Sequence, residues 1–280
     1  MLESPTEPIV FAKPFLKWVG GKTQLLPELL KAFPKEIGTY YEPFVGGGSV
    51  FFNLANSGQF KNAIINDWNL ELVTCYRVIK KQPQALMAAL DLLHYDKTLF
   101  LAQRALRPEG LSDVDRAARM IFLNKCGFNG LYRVNKSGQF NVPFGSYKTP
   151  PTLYVEPNIR ACSAALQHVN IYNTDFDDIL EHAGPGDLVY FDPPYVPLNP
   201  TSDFTSYTSV GFGMADQIRL ADRVKDLANR KVKVVLSNSD TPLVRKLYQD
   251  FEIREIMARR SINSKAEGRG AITEILVVTP

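Results

Sequence analysis

The sequence predicts an α/β fold: a doubly wound, mostly parallel sheet whose last strand is antiparallel, interrupted by an inserted helical and hairpin domain. Three observations predict it. A short apolar strand at 40–44 runs into Gly46-Gly47-Gly48, a helix, and a second strand ending at Asp67. Strand signals then lapse and return at 169–172, 187–191, 232–236, 251–256 and 272–278. The stretch between, from about 70 to 156, is helical and then loop-like.

Taken in order, residues 1 to about 10 carry acids and prolines without apolar periodicity and read as a mobile tail. Leu25, Leu26, Leu29, Leu30 and Phe33 recur at helical spacing, with Pro27 tolerable in a first turn. Val50, Phe51, Phe52 and Leu54 mark a helix after the glycines, and the run at 63–66 is the second strand. In the insertion, helices are expected around Leu72, Val73 and Tyr76, around Leu86, Leu90 and Leu93, and around Ala118, Ile121 and Phe122; residues 127–151 read as loop. Ile218, Ala221, Val224, Leu227 and Ala228 make 214–230 an amphipathic helix. The expected domains are therefore 11–69 with 157–280, and an insertion at 70–156.

Composition bounds the function more loosely. Hydrophobic residues at 45% and charged residues at 22% suit a soluble globular protein, and a net charge of +3 permits a polyanionic partner without requiring one. Cys75, Cys126 and Cys162 are odd in number and widely spaced, with no metal-ligand pattern, so reduced thiols and no metal site are expected. With no signal-peptide pattern and no apolar run long enough to span a membrane, a cytoplasmic location is expected.

The glycines of Glu42-Pro-Phe-Val-Gly-Gly-Gly48 let the backbone turn tightly and approach a ligand, and the helix that follows offers unpaired N–H groups. Asp67 lies 67 − 48 = 19 residues after the last glycine, the spacing at which an acid ending the second strand reaches ribose hydroxyls. The third glycine of a dinucleotide fingerprint is missing, because Gly48-Ser-Val-Phe51 follows, and this argues against NAD. Phe15-Leu-Lys-Trp-Val-Gly-Gly-Lys-Thr23 ends like a phosphate-binding loop, but Leu16 stands where the first glycine belongs and no strand precedes it. It reads either as a glycine turn before a helix or as Trp18 and Lys22 presented to a carboxylate-bearing ligand.

The most specific feature is Asp192-Pro193-Pro194-Tyr195, delivered by the strand 188–191. Two prolines stiffen the segment and expose its carbonyls. Asp192 and the Pro193 carbonyl could each accept one hydrogen of an amino group, aiming its lone pair at an electrophile. Tyr195 could stack on a base, which would have to be extruded from a duplex. A plain turn is the alternative, but the carboxyl end of a parallel strand is where such folds bind ligands.

Together these segments resemble the adenine-N6 DNA methyltransferases of the Dam group, with a close match to the Dam-like methylases of GATC-recognising restriction systems, over nearly the whole chain from residue 15 to 278. The resemblance implies a Rossmann-like methyltransferase sheet and S-adenosylmethionine as cofactor. It implies that Trp18, Lys22, Phe44, Gly46, Gly48 and Asp67 bind that cofactor, that Asp175 holds its adenine amino group, and that Asp192 faces both cofactor and target. Catalysis would fall to Asp192, Pro193, Pro194 and Tyr195.

The insertion resembles the family's DNA-reading part. Six basic residues (Arg116, Arg119, Lys125, Arg133, Lys136 and Lys148) and no acid fall between 116 and 155, where 29 acids in 280 residues would place about four by chance. Phe128-Asn-Gly-Leu-Tyr-Arg-Val-Asn135 and Phe140-Asn-Val-Pro-Phe-Gly-Ser-Tyr-Lys148 are similar to the recognition loop and hairpin. Arg133 would read a guanine, Leu131 and Pro143 would meet thymine methyls, Phe128 would wedge where the base leaves, and Lys17 would touch the outer guanine. Asn129, Asn135 and Tyr147 complete the expected DNA-binding set. Gly145-Ser146-Tyr147 departs from the family's Gly-Arg-Tyr, so a phosphate contact is expected to be lost. Asp203-Phe-Thr-Ser-Tyr-Thr208 is expected either to order over DNA or cofactor or to be a surface loop. The partner implied is double-stranded DNA read at GATC, with no membrane or metal and a monomeric or weakly dimeric enzyme. Alternatives are a related enzyme acting on RNA adenine or a protein glutamine amide, which typically opens the motif with Asn, and an idle DNA-binding regulator, which should have lost Asp192 or a loop glycine.

Overall fold

A computed structural model describes residues 10–196, 212–259 and 271–280. Chain order is α1 (Leu26–Ala32), β1 (Ile37–Glu42), α2 (Ser49–Ser57), β2 (Phe60–Asn66), α3 (Leu70–Lys81), α4 (Pro83–Asp91), α5 (Lys97–Ala105), α6 (Asp113–Cys126), α7 (Glu156–Ala165), β3 (Val169–Tyr172), β4 (Leu188–Phe191), α8 (Met214–Asn229), β5 (Lys233–Ser239), α9 (Pro242–Leu247), β6 (Glu252–Arg259) and β7 (Ala271–Val278). Seven strands form one sheet in the order β3-β2-β1-β4-β5-β7-β6. Pairings from β3 across to β5 are parallel; β7 runs antiparallel to both β5 and β6.

Both faces of the sheet are covered, so its strands are apolar on both sides. Successive side chains alternate between two cores. Tyr40, Leu188, Tyr190, Val235, Leu276 and Val278 pack on one face with α2, α3, α4 and α6. Tyr41, Val189, Phe191, Val234, Leu236, Ile275 and Val277 pack on the other with α8 and α9. The helices start where their chemistry allows: Pro27 and Pro83 sit in the first turns of α1 and α4, and Asn69, Asp96, Ser112 and Thr241 cap α3, α5, α6 and α9 with side-chain oxygens.

The doubly wound sheet and its antiparallel last strand are as the sequence predicts. Three helices are not. α5 shows one fully buried residue, Phe100; α7 begins with Glu156-Pro157; α9 has six residues. None carries an apolar stripe long enough to detect. Helices α3, α4, α6 and α7 share the core of the sheet's first face, while a smaller cluster of Phe100, Phe122, Leu123, Cys126, Phe140 and Val142 lies under the loop and hairpin that follow α6. The expected tail at 1–10 lies, but for Val10, outside the described residues, as does the tract 203–208. No helix among the described residues is long and apolar enough to cross a membrane.

Candidate active site

Strand order reverses between β1 and β4, and the carboxyl ends of these neighbours place Glu42 to Gly48 beside Asp192 to Tyr195. This switch point is where open α/β sheets bind ligands. Gly46 and Gly48 have φ of +49° and +72°. A Cβ on Gly46 would stand 2.9 Å from Trp18 Cδ1, and one on Gly48 would stand 2.5 Å from the Tyr76 hydroxyl oxygen. Only glycine fits either place. The Gly46 N–H donates to Asp67 Oδ2 at 3.0 Å, and Asn69 N–H donates to Oδ1 at 2.9 Å, so the acid ending β2 is bonded to the turn leaving β1. Burial pushes the Asp67 carboxyl up to about 6, against the pull of those two bonds.

Trp18 borders the glycines and stacks on Tyr132 at 5.5 Å. Lys22 is buried; its Nζ lies 2.8 Å from the Gly20 carbonyl and 2.7 Å from Asp192 Oδ1. The same ammonium stands 4.8 Å from the centre of the Tyr195 ring. Tyr195 donates to Glu274 Oε2 at 2.8 Å, and burial raises its pKa well above the usual tyrosine range. The Pro194 carbonyl accepts from Gln217 Nε2 at 2.9 Å, while the Pro193 carbonyl is not bonded among the described residues. Glu42 is buried beneath this turn and accepts from the Tyr40 hydroxyl at 2.9 Å; burial raises its pKa well above the ordinary glutamate value.

Phe44, in the loop after β1, packs with Phe176 and Phe212, each at 5.5 Å between ring centres. Asp175 follows β3 and is gripped by Arg219 through two 2.8 Å bonds. Burial of Asp175 raises its pKa, but the Arg219 bonds outweigh this and hold it below the usual range. The Arg219 guanidinium also lies 4.5 Å over the Phe176 ring. Phe176, Phe212, Arg219 and Gln217 carry no sequence motif, and only their place around Phe44, Asp175 and Pro194 marks them.

The loop after α6 lies against the segment that holds Trp18. Asn124, fully buried, accepts from Lys17 N–H at 3.0 Å and donates to the carbonyls of Lys17 and Gly130, both at 2.8 Å. Asn129 (φ +55°) and Gly130 turn the chain tightly and leave Phe128 and Asn129 exposed. Phe128 N–H donates to the Pro143 carbonyl at 2.9 Å, joining loop to hairpin. Arg133 is exposed, its Nε 2.7 Å from Asn141 Oδ1, and Pro143, two residues beyond Asn141, is exposed as well. Leu131 is half-buried on the small cluster. Tyr147 donates to the Gly127 carbonyl at 2.6 Å, with the Lys17 ammonium 5.5 Å from its ring.

Two residues of the basic run are paired inside the fold: Arg116 and Arg119 both meet Glu71, and Arg119, 5% exposed, donates to the carbonyls of Gln103 and Leu106. A run without acids balanced its charge against Glu71 outside the run. Asn135 builds the hairpin turn, its Oδ1 accepting from Ser137 N–H at 2.9 Å and Gln139 N–H at 3.0 Å.

Comparison with known proteins fits this geometry. The profile of the "D12 class N6 adenine-specific DNA methyltransferase" family matches residues 18–262. The chain belongs to that family. It is 45% identical over 273 residues to the Type II methyltransferase M1.LlaDCHI of Lactococcus lactis subsp. cremoris, covering 95% of this chain and 94% of that one. It is 43% identical over 286 residues to the Type II methyltransferase M.MjaIII of Methanocaldococcus jannaschii, covering 95% and 98%. The DNA adenine methylase of Haemophilus influenzae is 33% identical over 278 residues, covering 95% and 93%. The chain is thus an adenine-N6 DNA methyltransferase with a Rossmann-like sheet, as the resemblance implies, and its substrate is DNA. Among the described residues no group of three or more His, Cys, Asp or Glu is placed to hold a metal ion.

Proposed function

We propose that this methyltransferase moves the methyl group of S-adenosylmethionine to N6 of an adenine turned out of duplex DNA, and that its site is GATC. The observation that carries the reading is the Lys22–Asp192–Tyr195 arrangement beside the Gly46–Asp67 corner.

The residues present fit that cofactor. A corner where any Cβ would collide admits a ligand close to backbone, Asp67 offers carboxylate oxygens to ribose hydroxyls, and Lys22 is a buried cation suited to an amino-acid carboxylate. Phe44, Phe176 and Phe212 pack into an apolar wall beside Asp175 that suits one face of an adenine ring, and Trp18 walls the glycine corner. When bound, the cofactor supplies an electrophilic methyl on a sulfonium. The chain's own residues do the positioning. Asp192 and the unbonded Pro193 carbonyl accept the two hydrogens of the adenine amine, turning its lone pair toward the methyl. Tyr195, its hydroxyl fixed on Glu274, presents a ring face for the base. Carrying no duplex partner into this turn, the adenine must leave its stack to reach it.

We assign catalysis to 11–69 with 157–280 and target recognition to 70–156. Lys17, Phe128, Asn129, Leu131, Arg133, Pro143 and Tyr147 form the recognition surface, with Arg133 on a guanine and Asn135 supporting the hairpin. The GATC expectation rests on resemblance of these segments, supported by Asn124 tying Lys17 to the loop at 128–131. A cytoplasmic monomer or weak dimer is the corresponding expectation for location and assembly. The test is methylation of plasmid DNA with labelled S-adenosylmethionine, followed by GATC nucleases of differing methyl sensitivity. Protection only from the nuclease blocked by N6-methyladenine is expected; label without protection would overturn the site, and no label would overturn the donor or the reaction.

A further inference from the structure

We infer that Ser237 and Asn238, consecutive residues of β5, are positioning residues that fix the two ends of the Asp192–Tyr195 turn, and that Ser237 with Lys22 reserves Asp192 Oδ2 for the target amine. The inference rests on the proposed role of Asp192.

The need arises from the two prolines. Neither has an N–H, so the turn cannot be anchored by backbone donors at 193 and 194. It must be held through side chains and carbonyls. At its first end, Ser237 is fully buried, and its Oγ lies 3.0 Å from Asp192 Oδ1 and 3.0 Å from the Tyr190 hydroxyl. A carboxylate only accepts, and Asp192 Oδ1 at 3.0 Å is nearer to Ser237 Oγ than the Phe191 carbonyl at 3.4 Å, so the single Ser237 hydrogen goes to Oδ1 and the Tyr190 phenol is the donor to Ser237. Burial keeps that phenol protonated, raising its pKa well above the usual range. Lys22 Nζ meets the same Oδ1 at 2.7 Å. Both protein donors therefore fall on one oxygen, and Oδ2 has no bond among the described residues.

At the second end, Asn238, also fully buried, accepts from Val196 N–H at 3.2 Å and donates to Gln217 Oε1 at 3.3 Å. Gln217 passes the bond on to the Pro194 carbonyl at 2.9 Å. This occupies Pro194 and leaves the neighbouring Pro193 carbonyl for the second amine hydrogen. Successive residues of a strand face opposite ways, so one strand reaches the turn from both sides of the sheet. The two amine acceptors, Oδ2 and the Pro193 carbonyl, are the ones the protein leaves unbonded.

The test is single-turnover methylation of duplex oligonucleotide with labelled S-adenosylmethionine, using Ser237→Ala, Ser237→Thr, Asn238→Ala and Asp192→Asn, with melting temperatures and with dissociation constants for DNA and for S-adenosylhomocysteine. Ser237→Ala is expected to lower the rate constant on the order of 100-fold, the scale for a misplaced reacting group, with both dissociation constants within about twofold of wild type. Ser237→Thr, which keeps the hydroxyl, should recover to within about fivefold, and Asn238→Ala should lose at least about tenfold. A Ser237→Ala rate near wild type with Asp192→Asn inactive would overturn the inference and leave the reading of Asp192 intact. A loss that tracks weakened binding and melting, without recovery in Ser237→Thr, would also overturn it, as would an unchanged rate for Asn238→Ala. Full activity of Asp192→Asn would instead overturn the reading of Asp192 itself.

Discussion

Lys22 Nζ lies 2.7 Å from Asp192 Oδ1 and 4.8 Å from the Tyr195 ring centre, so one buried ammonium ties the segment before α1 to the turn after β4. Lys22→Met deletes the cation with little change in volume and leaves Asp192 without its charge partner. Breaking a buried pair costs about 3–5 kcal/mol, and the lower end applies here because the Asp192 side chain keeps 20% exposure. A fall in the denaturant midpoint, together with loss of methyl transfer, is the expected outcome; equal stability would remove the pair from the fold's supports.

Asp67 gives a pH dependence with two opposite signs. Its folded pKa of about 6 is raised above the ordinary 3.8 by burial. A raised carboxyl favours the folded state while protonated, so its stabilisation is complete below 3.8 and is lost as pH rises through about 6. The ionised form is the stronger acceptor for the ribose hydroxyls proposed to bind here. Affinity for S-adenosylmethionine should therefore drop as pH falls below 6, by up to roughly tenfold per unit. Titration calorimetry between pH 5 and 8 on wild type and Asp67→Asn checks this: the pH slope should vanish in the variant.

Asn124→Ala removes three hydrogen bonds of a fully buried amide, to the Lys17 N–H and to the carbonyls of Lys17 and Gly130. The expected destabilisation is about 2–4 kcal/mol, measured by chemical denaturation. Weakened DNA binding should accompany it, because both Lys17 and the loop at 128–131 lose their common support. Unaltered DNA affinity in a folded variant would show that the loop keeps its shape alone.

Arg133→Ala should relax discrimination at one guanine by about 1–3 kcal/mol while sparing the other positions. Methylation rates on a panel of single-base variants of the site read this directly. A uniform loss across the panel would make Arg133 a phosphate contact.

Much of the fold was legible because its signals are periodic or chemically singular. β3 matches its apolar run at 169–172, and α2 begins at Ser49 directly after the glycines. Strand ends were less visible: β1 starts at Ile37 and β2 at Phe60, where Gly38, Thr39, Lys61 and Asn62 dilute the apolar pattern. In the site, motif residues announced themselves, whereas Asn124, Gln217, Ser237 and Asn238 did not. Buried amides and hydroxyls look like ordinary surface residues in a sequence; only the distances to Lys17, Pro194, Asp192 and Val196 give them a task. The basic run at 116–155 shows the opposite effect, since charge counted along the chain does not see Glu71 folded against Arg116 and Arg119.

β7 enters the sheet between two strands that both precede it in the chain. While the chain is being synthesised, β5 is an open edge until those residues arrive. Glu274, the acceptor that fixes the Tyr195 hydroxyl, comes in on the same strand. The Asp192–Tyr195 turn thus gains this anchor only when the latest-made strand of the sheet slots into place. Growing chains on the ribosome, even those long enough to display the loop and hairpin after α6, would hold that turn without it.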